Sequence, residues 1–259
     1  FFTVCLALAG WRRLQEGLVS SGNASSETAV PSSLGAVWWP SIDNLVYRFS
    51  AADMSVDLME SGWLIATFCS EAAEGAVRLI GISNGEVIAG PAVKLGTGTV
   101  ALATVTALRV SKAGVSFSDS QGGSDGGPGL VTALFHRYDL VGNNVQGLWF
   151  PMLQLKLSVS LFDGVVLDLD SDRLSSLTYF VAWHGRIDGG SMGYVSVLTG
   201  LDHRLSVRGK RAVFNFRACE RINAVGVGPG KAMIAFSDVG DVGAIKVVGI
   251  QSGDTVEVG

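Results

Sequence analysis

Three aspartates stand at alternate positions in "DLDSDR": Asp168, Asp170 and Asp172. On a strand their carboxylates would share one face, and in a loop they would resemble the start of a calcium site. The loop reading fails further on. Its sixth place holds Arg173 where a calcium loop has glycine, and its twelfth holds Tyr179 where it has glutamate. A solvated polar face or loop is expected instead, with no metal. Asp119 and Asp238 each follow an aromatic by two residues (Phe117, Phe236), and Glu71 follows Phe68 by three. Acids recurring on one rim could line a funnel for a sugar, two of them serving as acid and as base or nucleophile. Recurring acids also cap recurring turns, and that is the expected role here. Trp38 and Trp39 in "VWWP" could stack on a sugar ring, although large aromatics more often fill cores. Asp119, Asp238, Trp38 and Trp39 are therefore the ligand candidates of a carbohydrate-binding reading.

Other chemistry finds little footing. His136, His184 and His203 are too scattered for a metal motif and are expected to pack or to lie at the surface. No serine sits in a nucleophile elbow. "GVGPGK" (226–231) lacks the spacing of a phosphate loop and falls in a hairpin that recurs as "MESGW". Cys5, Cys69 and Cys219 have no metal-type spacing and allow at most one disulfide; buried free thiols are expected. No catalytic residue, metal or cofactor is assigned.

The 259 residues can bury a sizeable core as one domain or two, and with 48% hydrophobic and 16% charged residues they are not disordered. Net charge is −4 and the basic residues form no long cluster, so nucleic acid is not an expected partner. The apolar start "FFTVCLALAGW" is shorter than the roughly 20 residues of a spanning helix, so no membrane span is expected. Asn23 in "NAS" is an N-glycosylation acceptor and points to an extracellular or particle-surface location.

The elements that must hold these residues recur. "WLIATFCSEAAEGAVRLIGISNGEVIAG" (63–90) matches the terminal "KAMIAFSDVGDVGAIKVVGIQSGDTVEVG" (231–259) almost place for place. Two further copies place Phe117 and Trp183 where these have Phe68 and Phe236, an aromatic anchor at intervals of about 50 residues. The same distance separates Gly90 from Phe117 and Gly209 from Phe236. Runs such as "AVRLIGI" and "AIKVVGI" alternate and are bounded by Gly, Asp, Asn and Ser, which is the signature of strands. Four short strands in each repeat make a propeller blade. The expected fold is all-β, a β-propeller of about five four-stranded blades, four or six also fitting. The spacing resembles the Gly-rich β-propeller-like repeats of phage tail and adhesin-type proteins and of secreted protist proteins, over residues 45–259. That resemblance bears on fold and is nearly silent on activity.

Residues 1–44 form an N-terminal strand segment and a Ser/Asn/Pro-rich loop. The terminal unit reads as a blade short of its last strand, to be closed by N-terminal strands of its own chain or of a neighbour. In the second case Phe1, Phe2, Val4, Leu6, Leu8 and Trp11 would add a strand to the next subunit, and head-to-tail repetition would build a fibre. The expected function is a non-enzymatic, self-assembling structural or interaction protein, a homo-oligomer or homopolymer. The alternative is a glycan-binding or glycoside-cleaving propeller.

Overall fold

The computed structural model describes residues 51–259, apart from residues 71, 84–85, 110, 146–147, 188–189, 202–203, 239, 241 and 251–255. They are all-β: four antiparallel sheets arranged as a four-bladed β-propeller. Among the described residues no helix is long and apolar enough to cross a membrane.

Blade 1 comprises β1 (Ala51–Leu58), β2 (Leu64–Ser70), β3 (Gly75–Ser83) and β4 (Glu86–Ala89), with β5 (Val93–Lys94) also paired to β3. Blade 2 comprises β6 (Ala103–Arg109), β7 (Lys112–Asp119), β8 (Gly129–Val145) and β9 (Leu148–Asp163). Blade 3 comprises β10 (Val165–Arg173), β11 (Thr178–Ile187), β12 (Gly190–Leu201) and β13 (Arg204–Asn215). Blade 4 comprises β14 (Cys219–Gly228), β15 (Lys231–Asp238), β16 (Val242–Ile250) and β17 (Val256–Val258). Each blade is built from strands paired in chain order, so hairpins suffice to make it.

The repeat read from sequence maps onto this order. Phe68, Phe117, Trp183 and Phe236 lie on β2, β7, β11 and β15, the second strand of each blade, and all are buried. In three blades the residue after the recurrent glycine pairs with the anchor: Ala76 with Phe68, Tyr194 with Trp183, Ala244 with Phe236. The "MESGW" and "GVGPGK" turns are equivalent. Gly62 and Gly230 take φ of 83° and 68° in them, a conformation a side chain would strain.

Three cores lie between successive blades, a fourth buried cluster of Ala66, Phe68 and Ile80 lies on the other face of blade 1, and strand alternation assigns side chains among them. Along "YFVAW" of β11, Tyr179, Val181 and Trp183 join Leu134 and Phe162 of blade 2, while Phe180 and Ala182 join Ile222 and Ile234 of blade 4. Between blades 1 and 2, Ile65 and Leu79 meet Val115 and Phe135. A sheet buried on both faces reads as a continuous apolar run, as this one does.

The count falls within the expected range: about five blades were expected, with four or six also fitting, and four are described. Residues 1–44, from which a fifth was expected, lie outside the described residues, as does the boundary at 44/45. One expectation changes. The terminal unit is not a strand short. β14 supplies its first strand and β17 pairs with β16 as its fourth, so blade 4 is complete from residues 219–258.

Candidate functional site

The first strands of the blades pack on one another in order, β1 on β6, β6 on β10 and β10 on β14. Asp168, Asp170 and Asp172 sit at the last of these contacts. Their Oδ2 atoms accept the backbone N–H groups of Ile222, Ala224 and Gly226 at 2.7, 2.9 and 2.7 Å. Their Oδ1 atoms accept the N–H groups of Leu169, Ser171 and Arg173. The expected solvated face is thus corrected: the three carboxylates are half-buried and latch one blade to the next. Backbone amides at a blade contact need acceptors, and ionised acceptors are the strong ones.

The same device joins blades 1 and 2. Asp53 Oδ2, Ser55 Oγ and Asp57 Oδ2 accept from the amides of Ala103, Val105 and Ala107 at 2.9, 3.2 and 2.7 Å. "DMSVD" (53–57) is therefore the counterpart of "DLDSD" (168–172), a likeness that Ser55 hides in the sequence by breaking the run of acids. Between blades 2 and 3 hydroxyls meet instead: Thr104 and Thr106 lie 3.0 and 2.7 Å from Ser171 Oγ. Burial raises the pKa of Asp57 above the ordinary carboxylate value. Hydrogen bonds from Ala107 and Leu58 oppose the rise, and the nearby Asp172 charge adds to it.

Where the first strands end, an open depression of about 350 Å³ is lined by Glu60, Arg173, Ser175, Gly226 and Pro229. Arg173 Nη1 reaches Glu60 Oε1 at 3.3 Å and the Leu108 carbonyl at 3.4 Å, joining blades 1, 2 and 3. Both side chains of the ion pair are more than 40% exposed, at 43% and 49%, so water screens it heavily. Neither Glu60 nor Arg173 carried a sequence signal beyond adjacency to the repeat turns.

The candidates named from sequence do not meet in one place. Asp119 is buried and accepts the N–H groups of Thr97, Gly98 and Gln121 at 2.9, 3.0 and 3.0 Å. It clamps the loop before β6 as well as its own turn, the capping role expected of it. Asp238 Oδ1 accepts from Asn215 Nδ2 at 3.2 Å, tying β15 to the end of β13. Trp38, Trp39, Asn23 and the assembly residues Phe1, Phe2, Val4, Leu6, Leu8 and Trp11 lie outside the described residues, as do Glu71 and His203. His184 is buried, Ser191 Oγ contacts its Nε2, and burial lowers its pKa. Cys69 and Cys219 are free and buried, and burial pushes both thiols up to about 12. No group of three or more metal-ligating side chains is found among the described residues.

One surface was not anticipated. In blade 4, past the β14 irregularity between Glu220 and Asn223, the even-numbered side chains face blade 3 and the odd-numbered ones face away. Register aligns the latter into rows across the sheet: Val225–Met233–Val247, then Asn223–Ala235–Ile245. Ile245 is 62% exposed, Val247 50% and Val225 48%.

No protein-family model matches the chain, and no curated protein matches it.

Proposed function

We propose that this protein is a non-enzymatic, self-associating structural or interaction module, working outside the cell or on a particle surface. The observation that supports it is the outer face of blade 4, whose apolar rows center on Ile245 and Val247, both at least half exposed. A contiguous exposed apolar patch of a few hundred Å² marks an interaction surface. The acids point the same way. Asp53, Asp57, Asp119 and the Asp168–Asp172 row spend their oxygens on backbone amides, a structural use that leaves Asp119 poorly suited to a sugar. The acceptor sequence at Asn23 supports the external location.

Light scattering from about 1 to 100 µM tests this, the range in which modest interfaces associate. Mass rising above the monomer with concentration is expected, and a constant monomer mass overturns the proposal. A variant lacking residues 1–10 separates strand addition by Phe1–Trp11 from face packing. Only strand addition is lost with that deletion.

A further inference from the structure

We propose that the outer edge of blade 3 binds a sulfated polysaccharide through a basic bulge in β13. The inference goes beyond self-association and shares with it only the external location, so either can fail without the other.

The sequence concentrates positive charge here. Arg204, Arg208, Lys210, Arg211 and Arg217 bring five of the 19 basic residues into 204–217, a stretch with no Asp or Glu, in a chain of net charge −4. β13 comes last in the strand order of its blade, so among the described residues no further strand of that sheet covers its outer edge. Register then lifts the charges off the sheet. Val195 pairs with Ala212 and Val197 with Arg208, so Gly209, Lys210 and Arg211 stand together opposite the single Ser196. Ser196 is buried, while residues 207–211 are all exposed. Gly209 allows the excursion with a φ of 64°. A bulge of this kind bends its strand and re-aims the side chains on it.

A basic edge also keeps the strands of other molecules away. That role asks only for hydrated charge, whereas here two guanidinium groups are held in place. Arg211 Cζ lies 4.7 Å from the centroid of the Tyr194 ring and 5.2 Å from that of Phe162. Stacking engages the flat face of the guanidinium and leaves its N–H rim for an acceptor. Asp163 lies within reach of its field but already accepts the N–H and O–H of Ser124 at 2.7 and 2.8 Å. Arg208 is anchored as well, its Nε donating to Thr199 Oγ1 at 2.8 Å. A fixed guanidinium suits the bidentate recognition of an oxyanion such as a sulfate.

The shape of the partner follows from what surrounds the ridge. Outside 204–217 the other 14 of the 19 basic residues stand against 23 acidic ones. A bilayer or a stiff nucleic-acid duplex would meet that acidic surface on either side of the bulge and be repelled. A flexible polysaccharide is narrow enough to touch the ridge alone, and its sulfates supply closely spaced negative charge.

Titration of the full chain with fluorescein-labeled heparin tests this. Binding at about 50 mM salt that fades by about 300 mM is expected. Lys210→Ser/Arg211→Ser should weaken it by about tenfold or more, the loss of a charge-assisted contact. Lys94→Ser/Lys231→Ser removes the same charge from blades 1 and 4 and should stay within about twofold of wild type. Lys210→Ser alone leaves both rings covered, and it should weaken binding about threefold with an unchanged melting temperature, which keeps the test alive if the double variant folds poorly. Wild type that fails to bind heparin overturns the proposal. Equal losses from the two double variants also overturn it, because they would report net charge alone. Duplex DNA or phosphatidylserine vesicles bound as tightly as heparin overturn the choice of a polysaccharide. None of these results touches the light-scattering test of self-association.

Discussion

Gly226 donates its amide to Asp172 Oδ2 at 2.7 Å at a point where blades 3 and 4 nearly touch. A β-carbon on Gly226 would lie 2.0 Å from the carbonyl oxygen of Arg173, a backbone atom that cannot swing aside. The latch and the bare backbone are therefore one feature: the carboxylate reaches its amide because nothing stands between the strands.

Gly226→Ala should accordingly destabilize the protein by about 1–3 kcal/mol, the usual cost of overpacking. Gly228→Ala, two residues on, meets nothing within 4 Å and should stay within about 0.5 kcal/mol of wild type. Urea denaturation of the two variants side by side checks the contrast, and equal losses would contradict it.

Asp170→Ala should leave the Ala224 amide without its acceptor at a half-buried contact, costing about 1–3 kcal/mol. Asp170→Asn keeps one oxygen and should cost less. Chemical denaturation gives both values, and an alanine variant as stable as wild type would show that water replaces the latch freely.

The pH dependence of Asp57 follows from its raised pKa. The folded state holds this proton more tightly than the unfolded chain. Its contribution to stability is full below the ordinary carboxylate value of about 3.9 and is lost as pH rises through the higher folded value. The stability of wild type relative to Asp57→Asn should therefore be greater near pH 3.5 than at pH 7. Denaturation midpoints at the two pH values test the sign.

Cys69 and Cys219, with thiols pushed up to about 12, carry almost no thiolate at pH 8. Alkylation followed by peptide mapping should find both unmodified in the native protein and modified in urea. Native labeling of either would contradict their burial.

Blade architecture was legible in the sequence because it is set locally. Strand alternation, turn glycines and one aromatic per blade, from Phe68 to Phe236, act within a few dozen residues. The latch was only half legible. The alternation of Asp168, Asp170 and Asp172 was visible, but their partners Ile222, Ala224 and Gly226 present backbone amides, which look the same at every residue. Asp119 shows the same limit, since Thr97 and Gly98 donate to it through main-chain amides. The apolar face of blade 4 was hidden for another reason. Val225, Ile245 and Val247 have the composition of a blade–blade contact, yet they are exposed. The completeness of the terminal blade turns on β14, a first strand that carries no aromatic anchor to mark it.

The latches also impose a parity on the chain. Blades 1 and 3 carry the accepting rows and blades 2 and 4 offer the amides that donate to them, while at the middle joint the hydroxyls of Thr104 and Thr106 meet Ser171, and Thr104 also reaches Asp170. A single blade inserted or lost would set acid beside acid or strand a row of amides, whereas a pair leaves each donor its receiver. The unit by which such a chain can grow or shrink is the couple, not the blade.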